Sequence, residues 1–432
     1  MKGRIFRFDP WKSSREVDRA LQFIIRTAYN QVPVYSSLWR KEGVDVGKIR
    51  TAPDLPMLPI MDKKILLHGD LATRLRRGTN VSRCVRRGTS GMTGSPIDIL
   101  FSKTEFRFRQ VALLHRVMAN LGLRRPFRWA EAGAWIPHEK REHPRQRGVL
   151  VSILRLPRSL RAEEMIEDLA RFNPDLVSGC PSDLQLIAAQ MAHGHYSKFN
   201  PKLVICQGEI LRQDVQELIA TAFGCRVADY YNVQEVGNLA WQCPHDPTVM
   251  HVNTATTLLE IVDSEGAPVE SGIEGEILIT NLFNATMPFV RYRLGDRATW
   301  INAQAHRCSC GAYTPTLSRI KGRSVDLVML PDGRRISPRV IDDLVMETLH
   351  ASLDDPMFLS GVHNYQIIQK SMEHLEVLVE ASHQVPILTS AIDDSLRALH
   401  PSLEISFEVV GEIPRGETGK VQRVVSDLAD RE

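Results

Sequence analysis

Apolar and polar positions set two rhythms along this chain. Residues 16–44 read as helical and lead into a proline-rich connector, TAPDLPMLPIMDKK. Residues 103–120 predict a helix of mixed polarity ending near Gly122. Short apolar runs then alternate with helical ones. GVLVSIL (148–154) predicts a strand, and 161–171 a short helix. NPDLVSGCPSDLQLIAAQMAHG predicts a strand, a turn at Gly179–Ser182 and another helix. KLVICQGE reads as a buried strand meeting a Gly-Glu turn, 211–223 as a helix ending before Gly224, and CRVADYYN as the next strand. Strands separated by helices at this spacing predict a parallel sheet covered by helices.

The rhythm changes after about residue 250. TTLLEIVDSEGAPVESGIEGEILITNL predicts strand, glycine-containing turn and strand. A helix at 339–350, strands in NYQIIQK and LEVLVE, a helix at 391–398 and a last strand, EISFEVV, predict a small α/β domain with a mixed or antiparallel sheet. The boundary falls near GRSVD, 322–326. WAEAGAWIPH (129–138) reads equally well as pocket wall or core.

Composition narrows the function classes. A chain of 432 residues with 43% apolar content supports a large core and more than one domain. A net charge of +3, from 54 basic and 51 acidic side chains, gives no reason to expect nucleic acid as a partner. The run Arg74, Arg76, Arg77, Arg83, Arg86, Arg87 is locally basic; it either attracts an anionic substrate or forms a solvated face. No window approaches eighteen uncharged apolar residues, so no membrane span is expected. Seven cysteines and no apolar leader fit a reducing cytoplasm.

RRGTSGMTGSP, 86–96, is the first candidate for chemistry. Its glycines let backbone N–H groups converge on phosphate, and its hydroxyls add donors. It lacks the lysine of a Walker A loop and the spacing of the dinucleotide fingerprint. Alone, such a stretch is more often a turn with capping hydroxyls.

Five further segments follow in order: CQGE (206–209), DYYNVQEVG (229–237), RYRLGD (291–296), RIKGRSVD (319–326) and PRGETGKVQR (414–423). With the loop near residue 90, the set resembles the adenylate-forming superfamily of acyl-CoA synthetases. The opening VPVYSSLWRKEGVDVGKIRTAPDLPMLPIMDK and the segment NPDLVSGCPSDL resemble the phenylacetate–CoA ligase family. The resemblance implies an α/β fold. A large N-terminal adenylate-forming domain, 1–323, would hold parallel sheets and a β-rich subdomain. A small mobile C-terminal α/β domain, 324–432, would follow. It also implies a two-step reaction: an aromatic or other small carboxylic acid reacts with ATP, in the presence of Mg²⁺, to give acyl-AMP and pyrophosphate, and coenzyme A then takes the acyl group, releasing AMP. A separate carrier protein or another nucleophile is the alternative acceptor, and an adenylate-binding homologue without turnover is a third reading. The family further suggests a homodimer.

The resemblance assigns residues as follows. Thr89, Ser90, Gly91, Thr93 and Gly94 would hold the β- and γ-phosphates, with Met92 and Ser95 departing from the usual hydroxyl and lysine. Glu235 would help hold Mg²⁺, for which carboxylate oxygen is the correct hard ligand. Tyr231 would pack on adenine. Asn232 replaces a glycine of the motif, and Gln234 replaces a hydroxyl residue at the α-phosphate. Gly208 and Glu209 would shape the adenine site through their backbone. Asp296, which follows a turn glycine after an aromatic-basic strand, would accept from the ribose hydroxyls, and Arg323 would reach the nucleotide. Lys420 would be carried to the α-phosphate and the attacking carboxylate on a glycine-containing loop, with Asp326 near the hinge.

A separate signal is Cys243-Pro244-His245, then His251, then Cys308-Ser309-Cys310. Three thiols and an imidazole form a known structural zinc set, and separately packed free thiols are the alternative. His245 and His251 compete for the fourth position; the family resemblance favours His251.

Overall fold

The computed structural model describes residues 14–67, 69–88, 97–121, 126–134, 145–147, 151–157, 160–194, 196, 198–320, 328–336, 341, 344–345, 362–381, 386–413 and 424–428. The first helical stretch is two helices, α1 (Ser14–Gln31) and α2 (Pro33–Lys41). Pro33 sits in the first turn of α2, where its missing N–H breaks no intrahelical bond. A short helix, α3 (Lys63–Leu67), ends the connector. Strands β1 (Val85–Gly88) and β2 (Asp98–Phe101) pair antiparallel, with Gly88 opposite Asp98. They are the stem of the glycine-rich segment. Helix α4 (Lys103–Leu121) follows.

Twelve strands then form one sheet. Its members are β3 (Phe127–Ala134), β4 (Arg145–Arg147), β5 (Val151–Pro157), β6 (Leu176–Gly179), β7 (Leu203–Gln207) and β8 (Arg226–Val233) on one side. On the other are β9 (Gly237–Gln242), β10 (Val249–Val252), β11 (Thr257–Val262), β12 (Glu274–Asn281), β13 (Tyr292–Arg307) and β14 (Tyr313–Ser318). The order is β11-β12-β13-β14-β10-β9-β8-β7-β6-β3-β5-β4. Pairing is parallel from β5 through β3, β6 and β7 to β8. It turns antiparallel at the β8–β9 hairpin. Helices α5 (Ala162–Phe172), α6 (Pro181–His193) and α7 (Gln213–Phe223) alternate with the parallel strands, as the sequence rhythm predicts. Gly224 ends α7 with φ +63°, the left-handed cap glycine supplies without strain.

Two predicted elements differ. WAEAGAWIPH begins inside β3, which is paired on both sides and so belongs to the sheet interior. Its small residues Ala130 and Ala132 hide the strand signal. The glycine of RYRLGD does not end a strand. Gly295, at φ +86°, lies within the 16-residue β13. Register shifts there, with Arg297 opposite Glu276 but Arg293 opposite Leu278, so the glycine makes a bulge.

The C-terminal region has its own core, including Val328, Ile341, Tyr365, Ile367, Val377, Ile392 and Leu396. A two-stranded piece, β15 (Val328–Met329) and β16 (Arg335–Ile336), precedes a four-stranded sheet. That sheet orders β19 (Glu404–Val410), β18 (His374–Ala381), β17 (Val362–Gln369) and β20 (Val424–Ser426), with α8 (Pro386–Arg397) between β18 and β19. It is mixed, antiparallel only at β17–β18. The chain thus has a large mixed α/β domain and a smaller C-terminal α/β region. The expected boundary at 322–326 lies outside the described residues.

Candidate active site and metal cluster

Parallel strands leave their carboxyl ends along one edge of the sheet, the usual place for ligands in open α/β folds. Three predicted segments lie at such ends: Gly179–Ser182 after β6, Gly208–Glu209 after β7, and Gln234–Glu235 after β8. Gln207 pairs with Tyr230, so the β7 turn begins beside Tyr231. Gly208 has φ +87°, a conformation that bends the chain there. Glu209 uses its side chain: its carboxylate accepts from Ser182 N–H and Oγ, both at 3.1 Å. That caps the positive end of α6.

Tyr231 and Asp296 meet directly, the tyrosine hydroxyl donating to Oδ2. The two are 65 positions apart, and the curved sheet brings β8 to the bulge of β13. Asp296 is 9% exposed and Glu235 7%. Asn232 donates to Gln207 Oε1, and Asn238 Nδ2 donates to Asn232 Oδ1 at 3.0 Å. Asn232, which replaces a glycine of the motif, is therefore used in a side-chain network with Gln207 and Asn238. Gln234 sits exposed in the turn itself. Thr89, Ser90, Gly91, Thr93, Gly94, Arg323 and Lys420 lie outside the described residues.

Two arginines join this site that the resemblance does not single out. Arg109, on α4, packs against the Glu235 turn; a Cβ at Gly237 would stand 2.9 Å from its Nε. Burial pushes its guanidinium down to about 10, and nearby Arg87 adds repulsion, while Glu235 opposes both. Burial also lowers Arg87, whose charge is balanced by Glu131 and opposed by Arg155. Arg87 belongs to the basic run already noticed in the sequence. Arg109 leaves no such mark within a helix of mixed polarity.

The cysteines and His251 come together. Sγ of Cys243, Cys308 and Cys310 and a ring nitrogen of His251 all lie within 4.8 Å of one another. Cys243 follows β9, His251 lies on β10, and Cys308 and Cys310 form the turn between β13 and β14. Gly311, at φ +87°, lets that turn close with its N–H on Cys308 O at 2.9 Å. Cys243 Sγ is 3.7 Å from Cys308 Sγ. Tetrahedral bonds of about 2.3 Å to zinc would set two sulfurs about 3.8 Å apart, so this donor set fits the ion. Cys310 Sγ is 3.2 Å from His251 Nε2, and Nδ1 meets the buried Thr314 hydroxyl at 2.9 Å. A partner on the second nitrogen is how metal-binding imidazoles are held. His245 instead turns to Ser309, at 3.3 Å, and stands outside the cluster.

Comparison with known proteins agrees with this architecture. No protein-family model matches the chain. The phenylacetate–coenzyme A ligase of Escherichia coli (strain K12) is 22% identical over 434 residues, covering 94% of this chain and 92% of that protein. A 2-hydroxyisobutyryl-CoA ligase in the postadenylation state superposes with TM-score 0.73 at 19% identity, covering 96% of this chain and 89% of that one. The same ligase with CoA in its thioesterification state gives 0.63 at 20% identity, with the same coverage. The fold is that of adenylate-forming enzymes, and the relationship is a broad one to their acyl-CoA ligase superfamily. Among the described residues, no helix is long and apolar enough to cross a membrane.

Proposed function

We propose that the chain is an ATP-dependent, AMP-forming carboxylate–CoA ligase, resembling phenylacetate–CoA ligases, with domains 1–323 and 324–432. The observation that carries this reading is the contact of Tyr231 with Asp296 near the carboxyl end of β8, with the buried Glu235 in the turn that follows that strand. Asp296 accepts from the ribose, Tyr231 orients Asp296 and borders adenine, and Glu235 holds Mg²⁺ on the phosphates. The ion supplies charge neutralisation for the approach of one anion to another. The 89–95 segment takes the β- and γ-phosphates. Arg323 reaches the nucleotide, and Lys420 meets the α-phosphate and the attacking carboxylate. The substrate is an aromatic or other small carboxylic acid, and coenzyme A is the acceptor. Cys243, His251, Cys308 and Cys310 hold a structural zinc that ties β9–β10 to the β13–β14 turn.

Exchange of labelled pyrophosphate into ATP over a panel of small acids tests the first half-reaction. Acid-dependent exchange is expected. Its absence with every acid, despite ATP binding, would leave the reading of an adenylate binder. Free CoA should then speed AMP release; if it does not, a separate carrier protein becomes the better acceptor.

A further inference from the structure

Arg109 is placed by the fold with care. Ser102 and Glu105 form a reciprocal cap at the start of α4: Ser102 N–H donates to Glu105 Oε2 at 2.6 Å, and Glu105 N–H to Ser102 Oγ at 3.2 Å. Glu105 also accepts from Ala285 N–H at 2.8 Å, Thr286 N–H at 3.0 Å and Thr286 Oγ1 at 2.6 Å. The helix start is thus fixed to the far strands. Arg109 lies four residues on, over the same face. Its Cζ stands 5.7 Å from the centre of the Phe101 ring, at the end of β2. Gly237 leaves the space its guanidinium fills.

Arg87 approaches from the other strand of the same stem. Its Cζ lies 5.0 Å from the Phe106 ring centre, one turn earlier on α4. It is two residues before Thr89 in sequence. Two cations are therefore held near each other on aromatic rings, beside the stem of the glycine-rich segment. Arg109 Nε is sealed from solvent and has no hydrogen-bond acceptor among the described residues. Proteins rarely bury a charged donor in this way, because its lost hydration is not replaced. An acceptor that arrives with a ligand removes the penalty. A planar fork with spare donors suits phosphate oxygens.

We propose that Arg109 and Arg87 form a fixed anion seat beside the β1–β2 stem, which takes the pyrophosphate portion of a nucleoside triphosphate. This rests on the proposed ATP-dependent reaction, and it assigns to α4 and β1 positive charge that the loop lacks at Ser95. Arg109 supplies the buried Nε donor, and Arg87 adds a second positive charge beside it. Without an anion, Glu235 offsets part of the repulsion at Arg109, and Glu131 part of it at Arg87.

The test is calorimetric binding of inorganic pyrophosphate to the full chain, which needs no acid, CoA or turnover. Arg109→Gln and Arg87→Gln should each weaken binding at least about tenfold, with Arg109→Lys recovering only part. Arg171→Gln, on exposed α5, should match the wild type. Arg109→Gln should also raise the KM for ATP more than that for the acid. Thermal melts show whether each variant is folded, and Arg87→Gln carries the test if Arg109→Gln does not fold. Wild-type affinity in folded Arg109→Gln and Arg87→Gln overturns the seat while leaving the ligase reading intact. An equal loss in Arg171→Gln overturns it too, as unspecific attraction. Binding of pyrophosphate without any acid-dependent exchange retains the seat and rejects the ligase.

Discussion

Arg291 and Arg109 both stand inside the protein near a carboxylate, and the fold treats them differently. Arg291 is 3% exposed and fully occupied. Its Nε donates to Glu260 at 3.1 and 3.2 Å, Nη1 to Leu58 O at 2.7 Å, and Nη2 to Gly266 O at 2.9 Å. Its backbone takes φ +44°, a strained value for a non-glycine residue, and its N–H is held by Thr280 Oγ1 at 3.0 Å. The guanidinium locks the proline-rich connector, β11 and the 263–267 turn to β13. Arg109 is half-buried as a residue, but its Nε is sealed from solvent and has no acceptor among the described residues. A group used only by the fold is satisfied within it. The group left with spare donors points outward in function, toward something that binds. The Cys/His cluster belongs with Arg291: four donors face one another and the second imidazole nitrogen is already engaged.

The strongest way to break this contrast is Arg291→Met. It strands Glu260 in the interior, so unfolding free energy should drop by about 3–5 kcal/mol, read by urea titration. Burial already pushes Glu260 above the usual glutamate range, and Arg291 opposes that. Without the arginine the folded value rises further. A raised folded value means the native state holds its proton more tightly than the unfolded chain. The variant's deficit relative to wild type should therefore grow as pH rises from the wild-type folded value of Glu260 through the variant's higher one. Pyrophosphate affinity of the folded fraction should not change. A pH-independent deficit would show that lost packing, not the stranded charge, dominates.

The cluster offers the next test. Protein purified without added metal should contain near one zinc per chain by elemental analysis. Cys308→Ser should empty the site and lower stability on the order of 3 kcal/mol. A metal-free wild type of full thermal stability would remove zinc and leave four packed side chains.

Lys420→Ala probes the open site from the C-terminal region. Adenylate formation should fall at least about 100-fold, or about 2.7 kcal/mol of transition-state stabilisation. Transfer from preformed adenylate to thiol should change much less. Equal losses in both steps would reject its assigned role.

How much of this was legible depends on the range of the signal. KLVICQGE and CRVADYYN announce β7 and β8 because their apolar runs are local and end in glycine or polar turns. The four metal-cluster residues could be named, but not their meeting: Cys243 and Cys308 are joined only by strands that pair through β10 and β14. The choice of His251 over His245 came from the family resemblance alone, because strand register, which fixes the ring that faces the thiols, has no local signature. Gly295 misleads because a bulge glycine and a turn glycine have the same local sequence. Arg109 is silent for a different reason. Its environment is made by Phe101, Gly237 and Glu235, which no helix-length window contains. The match of Tyr231 with Asp296 is likewise a product of sheet curvature.

That pair gives the finest test of the open site. Tyr231→Phe keeps the ring and removes only the hydroxyl that donates to Asp296. If Asp296 receives the ribose, the hydroxyl fixes the carboxylate's orientation, and its loss should raise the KM for ATP about fivefold, or about 1 kcal/mol. The carboxylate lies at the edge of the interior, where water can replace the lost donor, so the melting temperature should shift little. The substrate itself supplies the control. Wild type should disfavour 2′-deoxy-ATP relative to ATP, because one ribose donor is gone. In Tyr231→Phe that preference should shrink, since a loosely held carboxylate reads the sugar less well. A variant that melts several degrees lower while keeping the wild-type preference between the two nucleotides would make the pair a brace like Arg291 and Glu260, and would take Asp296 out of the nucleotide site.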